Sequence, residues 1–344
     1  MRVLVAMSGG VDSSVAAALV IGAGHQAVGA TMKLWGGPSD SGCCSVADVE
    51  DARRVADQLG ISHHVFNFSD DFEQRVVGPY VADHAGGRTP NPCIECNRHL
   101  KFDRFLSRAR RLGFDAVATG HHARVVGEPG GRWSLRRGAD PAKDQSYVLH
   151  MLQQHQLERV LLPVGTMTKA EVRACAARLG LRTAAKADSQ DVCFISRTGG
   201  REAFLGARIP LRPGRVVDEA GRDLGTVPAV ELVTVGQRKG IGQAVGGRYV
   251  VDVDPGAAVV RVGPLDQLMV DEVAVPEPTW VDGPPAPGEE LQVQVSAHGD
   301  PVAARWDPAG RVALSSPIRR VAAGQSVVLY RGDAVVGGGI AAPA

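Results

Sequence analysis

The chain has 344 residues, of which 44% are hydrophobic and 22% charged, a composition that excludes a disordered or fibrous protein and leaves room for two or three domains. Its 38 basic and 37 acidic residues give a net charge of +1, so global charge argues neither for nor against nucleic acid and only local clusters can speak. No run of ~18 apolar residues occurs, which excludes a membrane-spanning helix, and six cysteines are too few for a disulfide scaffold. Cysteines that matter are therefore expected to act as nucleophiles, ligands or transient redox partners.

The segment Met1-Arg2-Val3-Leu4-Val5-Ala6-Met7 runs at once into glycines, so it reads as a first strand with no signal peptide, and a cytoplasmic protein is expected. Ser13 to Ala23 is an alanine-rich helix and Ala27 to Leu34 a second strand. Val49, Ala52, Ala56 and Leu59 recur at helical spacing, which predicts an amphipathic helix from Val46 to Gly60. His64 to Phe68 is a third strand. Phe102, Phe105, Leu106, Ala109 and Leu112 mark a further helix, followed by a strand from Asp115 to Thr119. Strands alternating with helices predict an α/β doubly wound parallel sheet over residues 1–205. Beyond that point valine-rich stretches alternate with glycine and proline: Val230 to Val235, Tyr249 to Val253, Val259 to Val262, Leu291 to Ser296, Val302 to Trp306 and Val327 to Tyr330. They predict two small mainly-β domains, a central one over 206–275 and a C-terminal barrel over 276–344, with proline-rich Pro276 to Gly288 as the boundary.

Ser8-Gly9-Gly10-Val11-Asp12-Ser13-Ser14 lies between the first strand and the first helix. Two glycines admit an anion close to the backbone, and the helix start offers N–H and hydroxyl donors. The loop lacks the Gly-Lys-Ser/Thr ending of a Walker A motif and is not a dinucleotide fingerprint. It resembles the SGG-x-DS signature of ATP pyrophosphatases, which cleave ATP between the α and β phosphates. Open parallel sheets bind ligands beyond the carboxyl ends of their strands, so Ser8, Met32 and Gly120-His121 should face one crevice.

Thr89 to Asn97 is a proline-stiffened loop carrying Cys93 and Cys96. Asn97 reads as the N-cap of the Phe102 helix, which would set Cys96 at its positive end, near Arg98 and Lys101, with a lowered thiol pKa. Cys193, in Asp188-Ser189-Gln190-Asp191-Val192-Cys193-Phe194-Ile195, is a second candidate. Two cysteines in separate loops suit sulfur transfer, one carrying a persulfide and the other resolving it as a disulfide. A structural zinc site would need a second CxxC or a histidine pair, which is lacking, so no such metal is expected. Cys175 reads as a core residue. Between Arg88 and Arg111 seven arginines and lysines face two acids, enough local excess to neutralise phosphates beside the cysteine loop. With 5% aromatics, base stacking cannot dominate, and recognition by shape and phosphate fits better.

Taken together, AMSGGVDSS, GCCS, GRTPNPC-x-x-CN, TGHHAR, KDQSYVL, DSQDVCFI, GQRKGIG and GQSVVLY resemble the bacterial tRNA-specific 2-thiouridylases along nearly the full length. The resemblance implies ATP-dependent 2-thiolation of the wobble uridine in the tRNA anticodon loop, a sulfurtransferase reaction through an adenylated base. It implies that Cys96 is the nucleophile and that Cys193 carries the persulfide, reloaded by an external protein sulfur donor. ATP, with Mg2+, would contact Ala6, Met7, Ser8, Gly9, Gly10, Val11, Asp12, Ser13, Met32 and Gly120. The tRNA would meet Asn91, Pro92, Cys93, His121, Lys143, Asp144, Gln145 and Gln325. Three positions depart from the family pattern: Cys93 stands where many relatives have aspartate, His122 where tyrosine is common, and Ser296-Ala297-His298 where a basic stretch is usual. The extra Cys93 leaves open an iron–sulfur cluster held by Cys93, Cys96 and Cys193. A non-thiolating ATP pyrophosphatase and a catalytically silent tRNA-binding module are the remaining alternatives.

Overall fold

The computed structural model describes residues 1–34, 46–188, 192–196, 199–242 and 246–343. Its first unit is built on five parallel strands: β1 (Arg2–Ala6), β2 (Gln26–Lys33), β3 (His63–Asn67), β4 (Ala116–Ala118) and a two-residue strand Val160–Leu161 at the far edge. They lie side by side in the order β3-β2-β1-β4-edge, every neighbour parallel. The side chains of β1 explain why both faces are covered. Val3 and Val5 point into one core with Val15 and Ala16 of helix α1 (Val11–Gly22), Ala52 and Val55 of helix α2 (Val46–Gln58), and Val172. Leu4 and Ala6 point into the opposite core with Phe72, Val76, Leu100, Phe102 and Phe105. A strand buried on both faces with helices on each is the doubly wound arrangement read from the sequence.

The Phe102 helix starts earlier than its apolar spacing predicts. It is a continuous helical run over 92–111, wound with π geometry over Cys96–Arg104. Asn91, not Asn97, is its N-cap: the Asn91 side chain accepts from the Cys93 amide at 3.1 Å, and Pro92 occupies the first helical position. Asn97 lies inside, donating to the Val148 carbonyl at 2.9 Å.

The central β unit pairs β5 (Gly214–Val217), β6 (Asp223–Val227), β7 (Tyr249–Asp254) and β8 (Val259–Gly263) around Val216, Val230, Val250 and Val260. The stretch Val230 to Val235, read as a strand, is instead a 3-10 turn over Val230–Leu232. Glu231 in its middle is buried and accepts from both the backbone and the guanidinium of Arg212, at 2.9 and 2.8 Å, a demand that an extended strand would not meet.

The C-terminal strands form one sheet with a hairpin from the first unit, Ala123–Glu128 and Arg132–Arg137. Strand Ser326–Arg331 alternates between two cores. Val327 and Leu329 enter the barrel interior, whereas Val328 and Tyr330 join Leu135 and Tyr147 in the core of the first unit. The proline-rich stretch is no free linker either, since Thr279–Trp280 pairs with the final strand Ala334–Ile340.

Three buried histidines make this packing acid-sensitive. Burial lowers His84 and His150 to about 4 and His121 well below its ordinary value. Below pH ~6.5 the unfolded chain binds protons that these folded imidazoles refuse, so stability falls as pH drops, by up to about 1.4 kcal/mol per pH unit for each histidine. Urea unfolding at pH 7, 6 and 5 should show a steadily falling midpoint; a flat profile would contradict neutral burial.

Candidate active site

The strand order places a topological switch point between β1 and β4. The chain leaves β1 toward β2 and β3 on one side, while β4 and the edge strand lie on the other. Loops after β1 and β4 therefore diverge and leave a crevice between them. The glycine loop fills the first position. Gly9 has φ +72°, and Ser13 and Ser14 bond back to the Gly10 carbonyl at 3.1 and 2.8 Å, which fixes the entry into α1. Ser8 stays exposed, with its amide turned to the Ser13 hydroxyl at 3.2 Å. Gly120 fills the second position. A Cβ there would lie 2.6 Å from the Ser13 nitrogen and 2.7 Å from the Asp12 carbonyl carbon, so only glycine lets the two loops meet. Met32 and Met7 are buried at the strand ends, Met32 in the core with Phe102 and Met7 in the core with Val15.

Asp12 is the charged hub of the loop. Its carboxylate takes Lys169 Nζ at 2.7 Å on both oxygens and His122 Nε2 at 3.1 Å. Burial pushes its pKa up, but the bonds from His122 and Lys169 outweigh that and hold it below the usual carboxylate range. Asp188 behaves likewise. Lys169, Lys143 and Arg173 surround it at 2.9, 3.0 and 2.6 Å; burial opposes its charge, yet the bonds from Lys169 and Lys143 bring it to about 2. Lys169 and the role of Asp188 were not singled out from the sequence, because neither sits in a spacing that marks them; only the fold brings residues 12, 169 and 188 together.

The adjacent histidines His121 and His122 link the two halves of the site. His122 turns to Asp12 in the glycine loop. His121 bonds to Thr119 Oγ1 at 2.7 Å and reaches Lys101, on the cysteine helix, at 3.4 Å. Burial keeps His121 neutral, so it does not repel the Lys101 ammonium with a charge of its own. Lys101 in turn acts electrostatically on both Cys93 and Cys96.

The cysteines differ from expectation in one respect. Cys96 is not activated at rest: burial pushes its thiol up to about 11, and the opposing pull of Lys101 is smaller. It lies in the π-helical turn, past the N-terminal amides whose field was to lower it. Cys93 reaches the surface, but the protein mass around it raises its thiol too. Cys93, Cys96 and Cys175 are free thiols, and Cys175 lies in the core as anticipated. Cys193 is disulfide-bonded, and its partner is none of these three. Cys43 and Cys44 lie outside the described residues. The cysteines at 96 and 193 pack against the same hydrophobic cluster, where Phe194 is wedged edge-on against Phe72 and Tyr80, at 5.5 and 5.6 Å. The three thiols named for an iron–sulfur cluster are not gathered: among the described residues no three metal-ligating side chains come together, and Cys193 is already bonded.

The positions expected to meet RNA divide into two kinds. Asn91, Pro92 and Cys93 form the start of the reactive helix, with Asn91 committed to capping it. Gln325, on a turn of the barrel, donates its side-chain amide to the Thr89 carbonyl, and Thr89 N donates to Ala323 O at 2.8 Å. The barrel thus holds the segment that enters the cysteine helix. Lys143 is paired with Asp188. Asp144 accepts from Arg137, Gly138 N, Ser146 N and Ser146 Oγ at 2.9–3.0 Å, and Gln145 accepts from the His122 amide at 2.8 Å. In this structure, then, the Asp144 and Gln145 side chains brace the inside of the site.

Comparison with known proteins gives the family of the chain. The family model described as tRNA methyl transferase HUP domain matches residues 1–197, the PRC-barrel domain of the same series 202–264, and the aminomethyltransferase beta-barrel domain 270–341. The tRNA-specific 2-thiouridylase MnmA of Chloroflexus aurantiacus is 48% identical over 350 residues, covering 98% of this chain and 97% of that one. The chain belongs to the tRNA-specific 2-thiouridylase family. The enzyme of the same name from Mycolicibacterium smegmatis is 49% identical over 347 residues, covering 97% of this chain and 96% of its own. Among solved structures, the U34-tRNA thiolase NcsA from Methanococcus maripaludis with its 4Fe-4S cluster is 17% identical, covers 53% of this chain and 58% of that chain, and has a TM-score of 0.35; that likeness is too slight to carry any inference about this member of the 2-thiouridylase family.

Two measurements check the site. Alkylation of Cys96 by iodoacetamide, followed by peptide mass spectrometry, should still be rising about tenfold per pH unit between pH 8 and 10, and Lys101→Met should slow it; a plateau below pH 9 would show that burial does not control the thiol. Gly120→Ala sets a Cβ against backbone that cannot swing away, so affinity for ATP should fall about tenfold or more in equilibrium titrations.

Proposed function

We propose that this chain is an ATP-dependent sulfurtransferase that replaces the oxygen on carbon 2 of the wobble uridine of tRNA with sulfur. One observation carries the reading: neighbouring histidines, His121 and His122, tie the helix bearing Cys96 to the glycine loop at the switch point. In this reading a nucleotide seated on that loop works together with a thiol of that helix, which a plain ATP pyrophosphatase would not need.

In this reading Ser8 to Ser14 hold the phosphates, with Ala6, Met7, Met32 and Gly120 bordering the nucleotide. The uridine oxygen bonds to the α phosphorus, the bond from that phosphorus to the bridging oxygen breaks, and pyrophosphate leaves with the electron pair. Adenylation turns a poor leaving oxygen into a good one. The outer sulfur of a Cys193 persulfide adds to carbon 2 and AMP departs. Cys96, as thiolate, then attacks the Cys193 sulfur, closing a disulfide and releasing the thiocarbonyl, and an external thiol reductant reopens the pair. The observed disulfide at Cys193 must likewise open before sulfur is loaded. A thiol at about 11 is protonated at rest, so binding of RNA has to activate Cys96, for which Lys101 is the available cation.

Mg2+, which supplies charge neutralisation when bound, would take oxygens of ATP and the Asp12 carboxylate, whose lowered pKa and partial exposure suit a hard cation. Asn91, Pro92 and Cys93 border the target base, and His121, Lys143, Asp144, Gln145 and Gln325 support the anticodon loop directly or by bracing the residues that do. A base already unpaired costs at most a few kcal/mol to turn into the pocket. Units over 1–205, 206–275 and 276–344 need one correction, since strand Met269–Ala274 pairs with Arg311–Arg319 in the last sheet and so belongs to the last unit. A protein sulfur donor reloads Cys193. No helix among the described residues is long and apolar enough to cross a membrane, and a tRNA substrate places the enzyme in the cytoplasm.

The test is nucleoside mass spectrometry of unmodified tRNA incubated with the enzyme, ATP and a sulfur source. Wild type should yield 2-thiouridine and AMP. Cys96→Ser and Cys193→Ser should each lower the thionucleoside at least a hundredfold; retention of thiolation in either removes that cysteine from the mechanism.

A further inference from the structure

Thr89, two residues before the cap of the cysteine helix, touches both of the other units. Its hydroxyl lies 3.3 Å from that of Thr234 in the central unit, its amide donates to the Ala323 carbonyl of the last unit at 2.8 Å, and its carbonyl accepts from Gln325. The chain that leaves Thr234 is held in one shape. The Gln237 side chain accepts from the Thr234 amide at 3.1 Å and donates to the Lys239 carbonyl at 2.8 Å, while the Gln237 carbonyl takes the amide of Val250 in β7 at 2.9 Å. Arg238 and Lys239 are thereby presented to solvent on a short stapled loop.

Two guanidiniums from different units flank one ring beside this loop. Arg238 lies 5.7 Å and Arg319 5.3 Å from the centroid of Tyr249, the first residue of β7. Arg319 ends the strand Arg311–Arg319 of the last unit and is exposed. Its neighbour Arg320 anchors that strand end on the central unit, donating its guanidinium to the Val251 carbonyl at 3.4 Å. Among the described residues no carboxylate forms an ion pair with Arg238, Lys239 or Arg319. Acids on the adjoining strands are engaged elsewhere, Asp252 with Arg261 at 3.5 Å and Glu272 with Arg311 at 2.9 Å. The basic excess around the cysteine helix is different, since Arg88, Arg98 and Arg104 are paired with Asp83, Glu95 and Asp71. Like charges gathered without a counter-ion repel one another. A bridging anion relieves that repulsion and gains charge-assisted bonds from the guanidinium forks.

We propose that Arg238, Lys239 and Arg319 form a seam that grips the phosphodiester backbone of the tRNA strand flanking the target base. The proposal rests on the reading of the chain as a tRNA thiolase. Thr89 selects RNA over other anions: the loop starts one hydrogen bond from the segment that enters the cysteine helix, so a strand whose base reaches Asn91, Pro92 and Cys93 runs past these cations. Phosphate contacts fix register without reading sequence, which suits a chain with few aromatics to stack on bases. Because the seam draws one cation from the last unit and two from the central unit, the RNA backbone ties the two units together.

Equilibrium binding of the full chain to unmodified tRNA and to its isolated anticodon stem-loop, at several salt concentrations, tests this. The proteins are wild type, Arg238→Gln/Lys239→Gln, Arg319→Gln and Arg238→Lys. All three side chains are exposed, so the variants should melt at the wild-type temperature. The double variant should bind both RNAs about tenfold or more weakly at low salt. The slope of log affinity against log salt should flatten by about 0.7–0.9 for each cation removed, in the double variant and in Arg319→Gln alike. Arg238→Lys should keep the wild-type slope, and ATP affinity should stay within twofold throughout. Wild-type affinity and slope in the Gln variants overturn the proposal. So does a loss seen with whole tRNA but not with the stem-loop, which would place the seam on another arm. A loss confined to sulfur loading from a protein donor also overturns it, marking a protein-docking face instead. If wild type itself binds no tRNA, it is the reading of the chain as a tRNA enzyme that fails.

Discussion

Everything chemical in this molecule depends on two parallel strands whose onward connections part company. Because β1 and β4 are neighbours in the sheet but not in sequence, the loops that follow them cannot cover one another. The gap they leave is where backbone amides of α1 and the residues after β4 can face one ligand. Close approach then sets the residue types. Gly120 must be glycine because Ser13 and Asp12 press against it, and Gly9 must be glycine both for its positive φ and because the Asp48 carbonyl sits 2.3 Å from where a Cβ would be. The same approach explains why Asp12 is paired so heavily. A carboxylate confined in that gap would repel any phosphate, and His122 and Lys169 remove that obstacle before a ligand arrives.

The buried thiol of Cys96 adds a second consequence. Desolvation defeats the pull of Lys101, so the thiol of Cys96, the nucleophile of the proposed reaction, is pushed up to about 11 rather than primed. A sulfurtransferase with a permanently exposed low-pKa thiol would be open to adventitious oxidation and alkylation. Masking ties reactivity to the bound state. The π-helical winding of Cys96–Arg104 lies at this point, and π segments interrupt the regular hydrogen-bond ladder at functional positions more often than elsewhere. A helix already wound off its preferred geometry can change the exposure of one side chain with less resistance than a regular one.

What could be read from residues alone, and what could not, follows a physical division. Alternation and helical spacing report which side chains leave water, so the four longer strands of the parallel sheet and helix α2 were legible within a residue or two, whereas the two-residue edge strand Val160–Leu161 was not. The glycine loop was legible because anion binding demands particular residues in succession. Spacing does not report which polar group pairs with which. Asn91 and Asn97 are equally good caps by type, and only the helix start at Pro92 decides between them. The apolar stretch around Val230 matches a strand until Glu231 is seen to be buried on Arg212. Lys169 carries no local mark at all.

The shared strand Ser326–Arg331 shows why the first and last units cannot be treated as separate bodies. Its odd-numbered apolar side chains, Val327 and Leu329, fill the barrel, while Val328 and Tyr330 fill the first unit. Tyr330 is fully buried, its hydroxyl meets Ser146 at 3.2 Å, and the guanidinium of Arg137 lies 3.7 Å from its ring. Ser146 and Arg137 are in turn the partners of Asp144, which adjoins Lys143, the partner of Asp188, and Gln145, which accepts from the His122 amide. A load on the barrel is therefore transmitted into the crevice through packed side chains and charge-assisted bonds, not through a flexible linker. The turn of Gly324 and Gln325 reinforces the connection from the other direction, since it is hydrogen-bonded to Thr89, two residues before the cap of the cysteine helix. Both routes start on the last domain and end in the first unit, one at Thr89 before the cysteine helix and one at Asp144 beside the Lys143–Asp188 pair.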